Sequence, residues 1–328
     1  MSYYRNAESI IDVQLKLGEG IIWDNHNYFL FWVEMIEPSS IFKWDYKTNR
    51  LSKYDMPEMV TALSLMNNKE LLVACKKSIS IFNYKSVKLS KLIDIEEEIP
   101  NNRLNDAGTD AKGRFWFGTM QNTITDAGEL LPINNNTGAI YSIDDKLNLN
   151  QFETKLACTN TFVWNNNNDL MYFTDSTSKN IYKYKYNLKE GTIYNKSVFA
   201  KIDENATPDG STIDSEDHLW TCFYGSGKII RFKPNSEIDS IYNIPALGVT
   251  NCIFGGENME TLYVTTGRMN FSKSQLKKYP LSGNIFKIAV SIFCRSSDGL
   301  IAQKTSILQD NSGIFIFPFL YNFLRRFY

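Results

Sequence analysis

The stretch "TPDGSTIDSEDHLW", residues 207–220, holds Asp209, Asp214, Glu216 and Asp217, with Glu204 just upstream. Carboxylates at this density either bind a hard cation or build turns. A continuous calcium loop alternates its oxygen ligands about a glycine and closes on a glutamate, and this spacing does not fit it. A metal here needs partners from elsewhere in the chain. Other chemistries are poorly served. The two histidines, His26 and His218, sit in polar turns, "DNHNY" and "SEDHLW". A Ser–His–Asp triad or a zinc–histidine site needs an inward-facing imidazole. "GSGK" at 225–228 lacks the spacing and the following helix of a phosphate loop and reads as a β-turn.

The elements that would position the acids appear as a repeat. Six segments run from a polar turn into an aromatic or β-branched stretch: "NYFLFWVEM", "KELLVACKK", "GRFWFGTM", "DLMYFTDS", "DHLWTCFY" and "ETLYVTTG". Each is followed by a second strand signal: "SIFKWD", "SISIFNY", "GAIYSID", "NIYKYKY", "KIIRFKP" and "NIFKI". Each is preceded by a third: "GEGIIWD", "TALSLM", "LNDAGTD", "NTFVW", "DGSTID" and "TNCIFG". Short strands with turn signals at roughly 40–60 residue spacing predict an all-β repeat architecture. Long helical periodicity is absent. The expectation is a six-bladed β-propeller around a central channel, formed by residues 1–290 as one domain.

In a propeller the innermost strands line the channel. Equivalent positions on them are Glu19, Thr61 or Ala62, Asn105, Asn160, Asp209 and Asn251. Carboxylate and amide oxygens converging on one point would suit Ca²⁺ or Mn²⁺, with water completing the shell. Asp214, Glu216 and Asp217 are then expected in the solvent-facing turn after one inner strand, with Asp209 alone starting that strand at the channel mouth. Asp209 is the candidate base, since a carboxylate can bind a cation with one oxygen and orient water with the other.

The blocks "LGEGIIWD", "NRLNDAGTDAKGRFWFGTM", "PDGSTIDSEDHLW" and "VTNCIFGGENMETLYVTT" resemble the regucalcin (senescence marker protein, SMP-30)/gluconolactonase family. The insect branch with luciferin-regenerating enzymes looks nearest. The likeness runs from about residue 12 to 288. It implies a six-bladed propeller with one divalent metal in the channel, Ca²⁺ foremost and Zn²⁺, Mn²⁺ or Mg²⁺ as alternatives. It implies hydrolysis of sugar lactones; a calcium-binding regulatory propeller and a luciferin-regenerating activity are its alternatives. Carried over by position, the metal ligands would be Glu19, Asn160 and Asp209, and the substrate-positioning pair Arg103 and Asn105. Three departures stand out. Thr161 replaces the glycine expected after the amide ligand. Thr123 occupies the place of an acidic substrate contact, with Glu129 nearby in sequence. About forty residues follow "SGNIFKI" where the family ends shortly, so 291–328 reads as an atypical tail.

Composition agrees with a small-molecule protein. The balance of 35 basic to 36 acidic residues in 328 gives no basic stripe for nucleic acid. The five scattered cysteines contain no CxxC pair, which fits a reducing compartment. The start "MSYYRNAESI" lacks a signal-peptide pattern, and no apolar stretch is long enough to span a bilayer. The expectation is a cytoplasmic monomer acting on a small lactone.

Overall fold

The computed structural model describes residues 7–290, except 126 and 203–205, and the short pairing of Leu308–Gln309 with Phe315–Ile316. The expected tail at 291–328 lies, apart from that pairing, outside the described residues, as does Glu204.

The arrangement is all-β and propeller-like. After β1 (Glu8–Ile11), the chain forms consecutive antiparallel meanders. The first holds β2 (Gly18–Asp24), β3 (Phe29–Glu34), β4 (Ser40–Asp45) and β5 (Arg50–Asp55). The next holds β6 (Val60–Leu65), β7 (Glu70–Cys75), β8 (Ser78–Asn83) and β9 (Lys88–Asp94). Then come β10 (Asn102–Thr109), β11 (Phe115–Gln121), β12 (Gly138–Ile143) and β13 (Leu149–Leu156). They are followed by β14 (Thr159–Trp164), β15 (Leu170–Asp175), β16 (Asn180–Asn187) and β17 (Thr192–Lys201). An eight-stranded sheet closes the series with β18 (Thr207–Ile213), β19 (Leu219–Tyr224), β20 (Lys228–Phe232), β21 (Ile238–Asn243), β22 (Gly248–Gly255), β23 (Thr261–Gly267), β24 (Ile285–Ala289) and β1. Its two halves join through one pairing, Tyr224 with Gly248. The N-terminal β1 finishes the last meander against β24, with Glu8 opposite Lys287, which ties the two ends of the described fold together.

Every predicted strand is present, but each meander has a fourth strand that the repeat does not reveal. These outer strands, such as "RLSKYD" and "KLSKLID", are mostly exposed or half-buried along their length. They carry no apolar alternation, which is the only signal a pattern reading can use. The central strands are the opposite. "FLFWVE" and "FWFGTMQ" are buried on both faces because neighbouring sheets cover them.

The core is divided among the spaces between adjacent sheets. Phe31 and Val33 pack with Leu71 and Val73; Trp116 with Phe162 and Phe173; Trp220 with Val264 and Phe286. Trp32, Trp116 and Trp220 are fully buried, and truncating such a side chain typically costs about 3–5 kcal/mol. Because apolar side chains fill these wedges, the axis is left to polar ones. The first strands pack in a closed cycle: β2 on β6, β6 on β10, β10 on β14, β14 on β18, β18 on β22, and β22 back on β2.

Each of these first strands shifts register against its neighbour, between Glu19 and Ile22, Val60 and Ala62, Leu104 and Ala107, Asn160 and Val163, Pro208 and Ser211, and Val249 and Asn251. A bulge bends a strand and re-aims side chains. The residues singled out as the channel ring lie at or beside these shifts.

Candidate functional site

The bulge after Glu19 depends on Gly20, whose φ is 55°. A Cβ there would sit 3.0 Å from the Ala62 Cα on the adjacent strand. The equivalent residue after Asn160 is Thr161, with φ 61°. The backbone therefore adopts the conformation expected of the missing glycine, although a β-branched residue is a true outlier there. Local bonds hold it. The Thr161 N–H donates to Asp106 Oδ2 at 2.8 Å, its hydroxyl donates to the Asp209 carbonyl at 2.7 Å, and it lies 2.8 Å from Ser211 Oγ. The substitution thus fastens Asp209 to the neighbouring strand. Thr161→Val, which keeps the shape but removes the hydroxyl, is expected to destabilise the fold by about 1–3 kcal/mol, because the buried Asp209 carbonyl loses its donor. Urea unfolding would measure this, and an unchanged midpoint would show that the hydroxyl bond contributes nothing.

Arg103, Asn105 and Asn160 form a continuous chain across β10 and β14. Arg103 Nη1 donates to Asn105 Oδ1 at 2.6 Å and to the Leu104 carbonyl at 2.9 Å. Asn105 Nδ2 donates to Asn160 Oδ1 at 2.9 Å and to the Thr159 carbonyl at 2.8 Å. Asn160 Nδ2 donates to Ser176 Oγ at 2.8 Å, and that hydroxyl donates to the Pro208 carbonyl at 2.6 Å, just before Asp209. This fixes the amide of Asn160 with its oxygen toward Asn105. Arg103 is buried, so it is not a surface ion pair, and its Nε has no hydrogen-bond partner among the described residues.

Glu19 and Asp209 come close enough for their charges to interact, together with Asp106 and Arg103. Removal from water pushes both carboxyls well above their usual range, and mutual repulsion adds to this. Asp209 and Asp106 act on Glu19, and Asp106 acts on Asp209, while Arg103 partly offsets each. Burial also raises Asp106 to about 6, against the backbone N–H groups of Ala107 and Thr161. Burial lowers Arg103 to about 10, opposed by Cys158, Glu19 and Asp209. Glu19 and Asp209 share one guanidinium and are both repelled by Asp106, so their ionised forms are disfavoured until a further cation joins them. That donor chemistry, carboxylate oxygens beside an amide, suits a hard divalent cation.

Several sequence expectations are revised. Asp106 and Ser176 belong to this neighbourhood and were not singled out; Asp106 directly follows Asn105, but nothing in its repeat position marks Ser176. Asn251 is buried and lies against Gly210, which directly follows Asp209. Glu129 is exposed, and its N–H caps back onto Thr125, while Thr123 is buried. The turn after β18 does not simply face solvent. Glu216 is exposed, but Asp214 is buried and takes Trp220 Nε1 at 2.9 Å and Arg231 Nε at 2.8 Å. Asp214, Glu216 and His218 are the group of potential ligands clustered within 4.8 Å among the described residues. Arg231 bonds both acids, so that cluster already holds a cation of the protein's own. His218 and His26 remain in turns, as expected.

Comparison with known proteins follows from this geometry. The model for the SMP-30/gluconolactonase/LRE-like region matches residues 17–268. YvrE of Bacillus subtilis, named as a candidate sugar lactone lactonase, is 29% identical, with 84% of this chain and 91% of that protein covered. Human regucalcin is 28% identical over 86% of this chain and 93% of its own. A solved luciferin-regenerating enzyme superposes with a TM-score of 0.79 at 24% identity, covering 87% of this chain and 95% of that one. A calcium-binding regucalcin from Agrobacterium tumefaciens gives 0.80 at 20% identity, covering 88% and 96%.

Proposed function

This chain belongs to the SMP-30/gluconolactonase/LRE-like family, and from that membership we propose that it is a divalent-metal-dependent hydrolase of sugar lactones. The observation that carries the reading is the trio of buried, mutually repelling acids Glu19, Asp106 and Asp209 beside Arg103 and the oriented amide of Asn160. We read the eight-stranded sheet as two blades joined at Tyr224, which makes residues 1–290 one six-bladed domain with the site in its channel.

Glu19, Asn160 and Asp209 would hold the cation, with Ca²⁺ the first candidate. When bound, a divalent ion supplies Lewis acidity toward a carbonyl. Asp209 orients a water through its free carboxylate oxygen and takes its proton as the water oxygen bonds to the lactone carbonyl carbon. The ring C–O bond then breaks, the ring oxygen regains the proton, and an open hydroxy acid leaves. Arg103 offers a planar fork of donors to the developing oxyanion or to sugar hydroxyls. Asn105 fixes both Arg103 and Asn160 through its own amide.

One observation favours the second reading, a calcium-binding regulatory propeller without significant turnover. Asn105 commits its amide oxygen to Arg103 and its amide nitrogen to Thr159 and Asn160, rather than to an open cavity. No described helix is long and apolar enough to cross a membrane. Four cysteines, Cys75, Cys158, Cys222 and Cys252, carry free thiols, which supports a reducing compartment such as the cytoplasm.

The test is purified protein stripped with a chelator, then reloaded with Ca²⁺, Mn²⁺, Zn²⁺ or Mg²⁺ and assayed on several aldonolactones. Turnover should return with metal. An ion at one hundred times its Kd should also raise unfolding free energy by about 2.7 kcal/mol. Stabilisation without turnover would select the regulatory reading. Neither effect would remove the metal site from both.

A further inference from the structure

The six first strands also enclose a cavity of about 410 Å³. Each of β2, β6, β10, β14, β18 and β22 contributes to its wall, yet none of Glu19, Arg103, Asn105, Asn160 or Asp209 does. Leu63, Phe162 and Ile253 supply apolar surface. The Asn165–Asn168 turn forms part of the boundary, which gives the run "NNNND" a place beyond its role as a turn.

Two buried polar groups on this wall lack a protein partner. Asn251 accepts the Cys252 N–H at 2.8 Å through Oδ1, which identifies its amide oxygen, and its Nδ2 donates to nothing among the described residues. The Thr212 hydroxyl likewise bonds to nothing among them. Thr212 is 3% exposed and Asn251 8%. Neither polar atom is among the unbonded ones sealed inside the protein, so each reaches open space, and the space these residues line is the cavity. The two are neighbours, because the Asn251 amide lies against Gly210, two positions before Thr212 on the adjacent first strand. Ser64 and Thr109 add a further donor: their hydroxyls lie 2.6 Å apart, and that bond uses only one of their two protons.

We propose that this cavity binds a small uncharged carbonyl compound with an apolar body, its oxygen set between Asn251 Nδ2 and the Thr212 hydroxyl and its body against Leu63, Phe162 and Ile253. The volume falls in the usual range for small-molecule sites, and apolar walls with a few convergent polar groups are typical of them. The ligand's chemistry follows from what the wall has left to give, which is hydrogen-bond donors. A carbonyl oxygen accepts them, and a group that only donates leaves the Asn251 amide unmet. An organic cation is such a group. An anion finds no lysine, arginine or histidine on the wall, and burying a charge without a partner is costly. An uncharged acceptor on an apolar frame meets both conditions.

The probe is benzophenone, compared by calorimetry on the full chain at neutral pH with diphenylmethylamine and diphenylacetate, a cation and an anion of similar bulk. The ketone should bind at least about tenfold more tightly than either. Irradiated in place, its carbonyl carbon joins to a nearby C–H carbon, and the labelled peptides should hold cavity residues, with Met259 on the wall a suitable target. Thr212→Val keeps the shape and removes the hydroxyl, and it should weaken ketone binding about fivefold, the usual worth of one hydrogen bond. It should leave the melting temperature unchanged, since that hydroxyl holds nothing in the fold. Val163→Trp, from a half-buried lining position, should fill the cavity and weaken binding at least about tenfold. No ketone binding, equal or tighter binding of the amine or the carboxylate, labelling away from the cavity, or undiminished affinity in either folded variant would each overturn the proposal. Because the readout is ketone binding, the presence or absence of lactonase activity leaves this result intact.

Discussion

Asp209→Asn is expected to lower lactone turnover by about 10²–10⁴-fold, the usual worth of a positioned general base. The protein should remain folded, and its metal-free form should become more stable. The two outcomes have one cause. Asp209 is buried against Glu19 and Asp106, and its carboxyl is pushed well above its ordinary range by lost hydration and by Asp106. An acid that titrates higher in the folded state than in the unfolded one binds more protons when folded. Stability then falls as pH rises from the unfolded value through the folded one. For Asp106 that window runs from the ordinary aspartate value to about 6, and the raised Glu19 and Asp209 act in the same direction. The chelated wild type should therefore melt at a higher temperature at pH 5 than at pH 7.5. The Asn variant should narrow that difference, because it removes one repelling charge. Saturating metal should narrow it in the wild type, for the same electrostatic reason. Calorimetry across pH, with and without metal, reads all of these. A chelated wild type that melts highest at pH 7.5 would mean that the three carboxyls do not repel as described. A fully active Asn variant would remove Asp209 from the chemistry.

Much of this was legible in the sequence because two periodicities coincide. Aromatic and β-branched runs bounded by polar turns marked the three inner strands of each meander, and the repeat aligned Glu19, Asn105, Asn160 and Asp209 although they are far apart in the chain. Two kinds of feature were hidden. Outer strands such as Arg50–Asp55 expose most of their length, so their residues are chosen by solvent rather than by a core face. Contacts set by the bulges were hidden too. Whether Asp106 turns toward Glu19 or away depends on one unpaired residue in β10, and alignment by position cannot see that twist. Thr161 was readable as a departure, but its hydroxyl bond to the Asp209 carbonyl was not.

Asp214→Ala should have the opposite profile to Asp209→Asn: a loss of about 3–5 kcal/mol in stability, as for breaking a buried ion pair, with kcat/KM nearly unchanged in whatever folds. The two acids stand five positions apart in one short stretch, yet their surroundings differ in kind. Asp209 faces other acids. Asp214 faces donors: Glu216 N at 2.9 Å, His218 N at 3.0 Å, Trp220 Nε1 at 2.9 Å and Arg231 Nε at 2.8 Å. The same spacing recurs two repeats earlier. In "DAKGRFW", Asp110 accepts Lys112 N at 2.8 Å, Arg114 N at 3.0 Å and Trp116 Nε1 at 3.2 Å. An aspartate six residues before a buried tryptophan thus closes the first hairpin and satisfies an indole that the core would otherwise strand. Alanine at 214 removes the acceptor but leaves the Trp220 indole N–H buried, and an unsatisfied buried donor costs more than the lost bond itself. Arg231 is partly compensated, since Asp239 at 2.8 Å and Glu216 at 2.5 Å still hold it, which places the cost chiefly on Trp220 and the turn. Asp214→Asn should recover part of the loss, because an amide oxygen can still accept from the turn. Denaturant melts of both variants, read beside lactone turnover per folded molecule, decide the matter. An Ala variant as stable as wild type, or one folded but inactive, would mean that Asp214 acts at the catalytic site rather than in the hairpin.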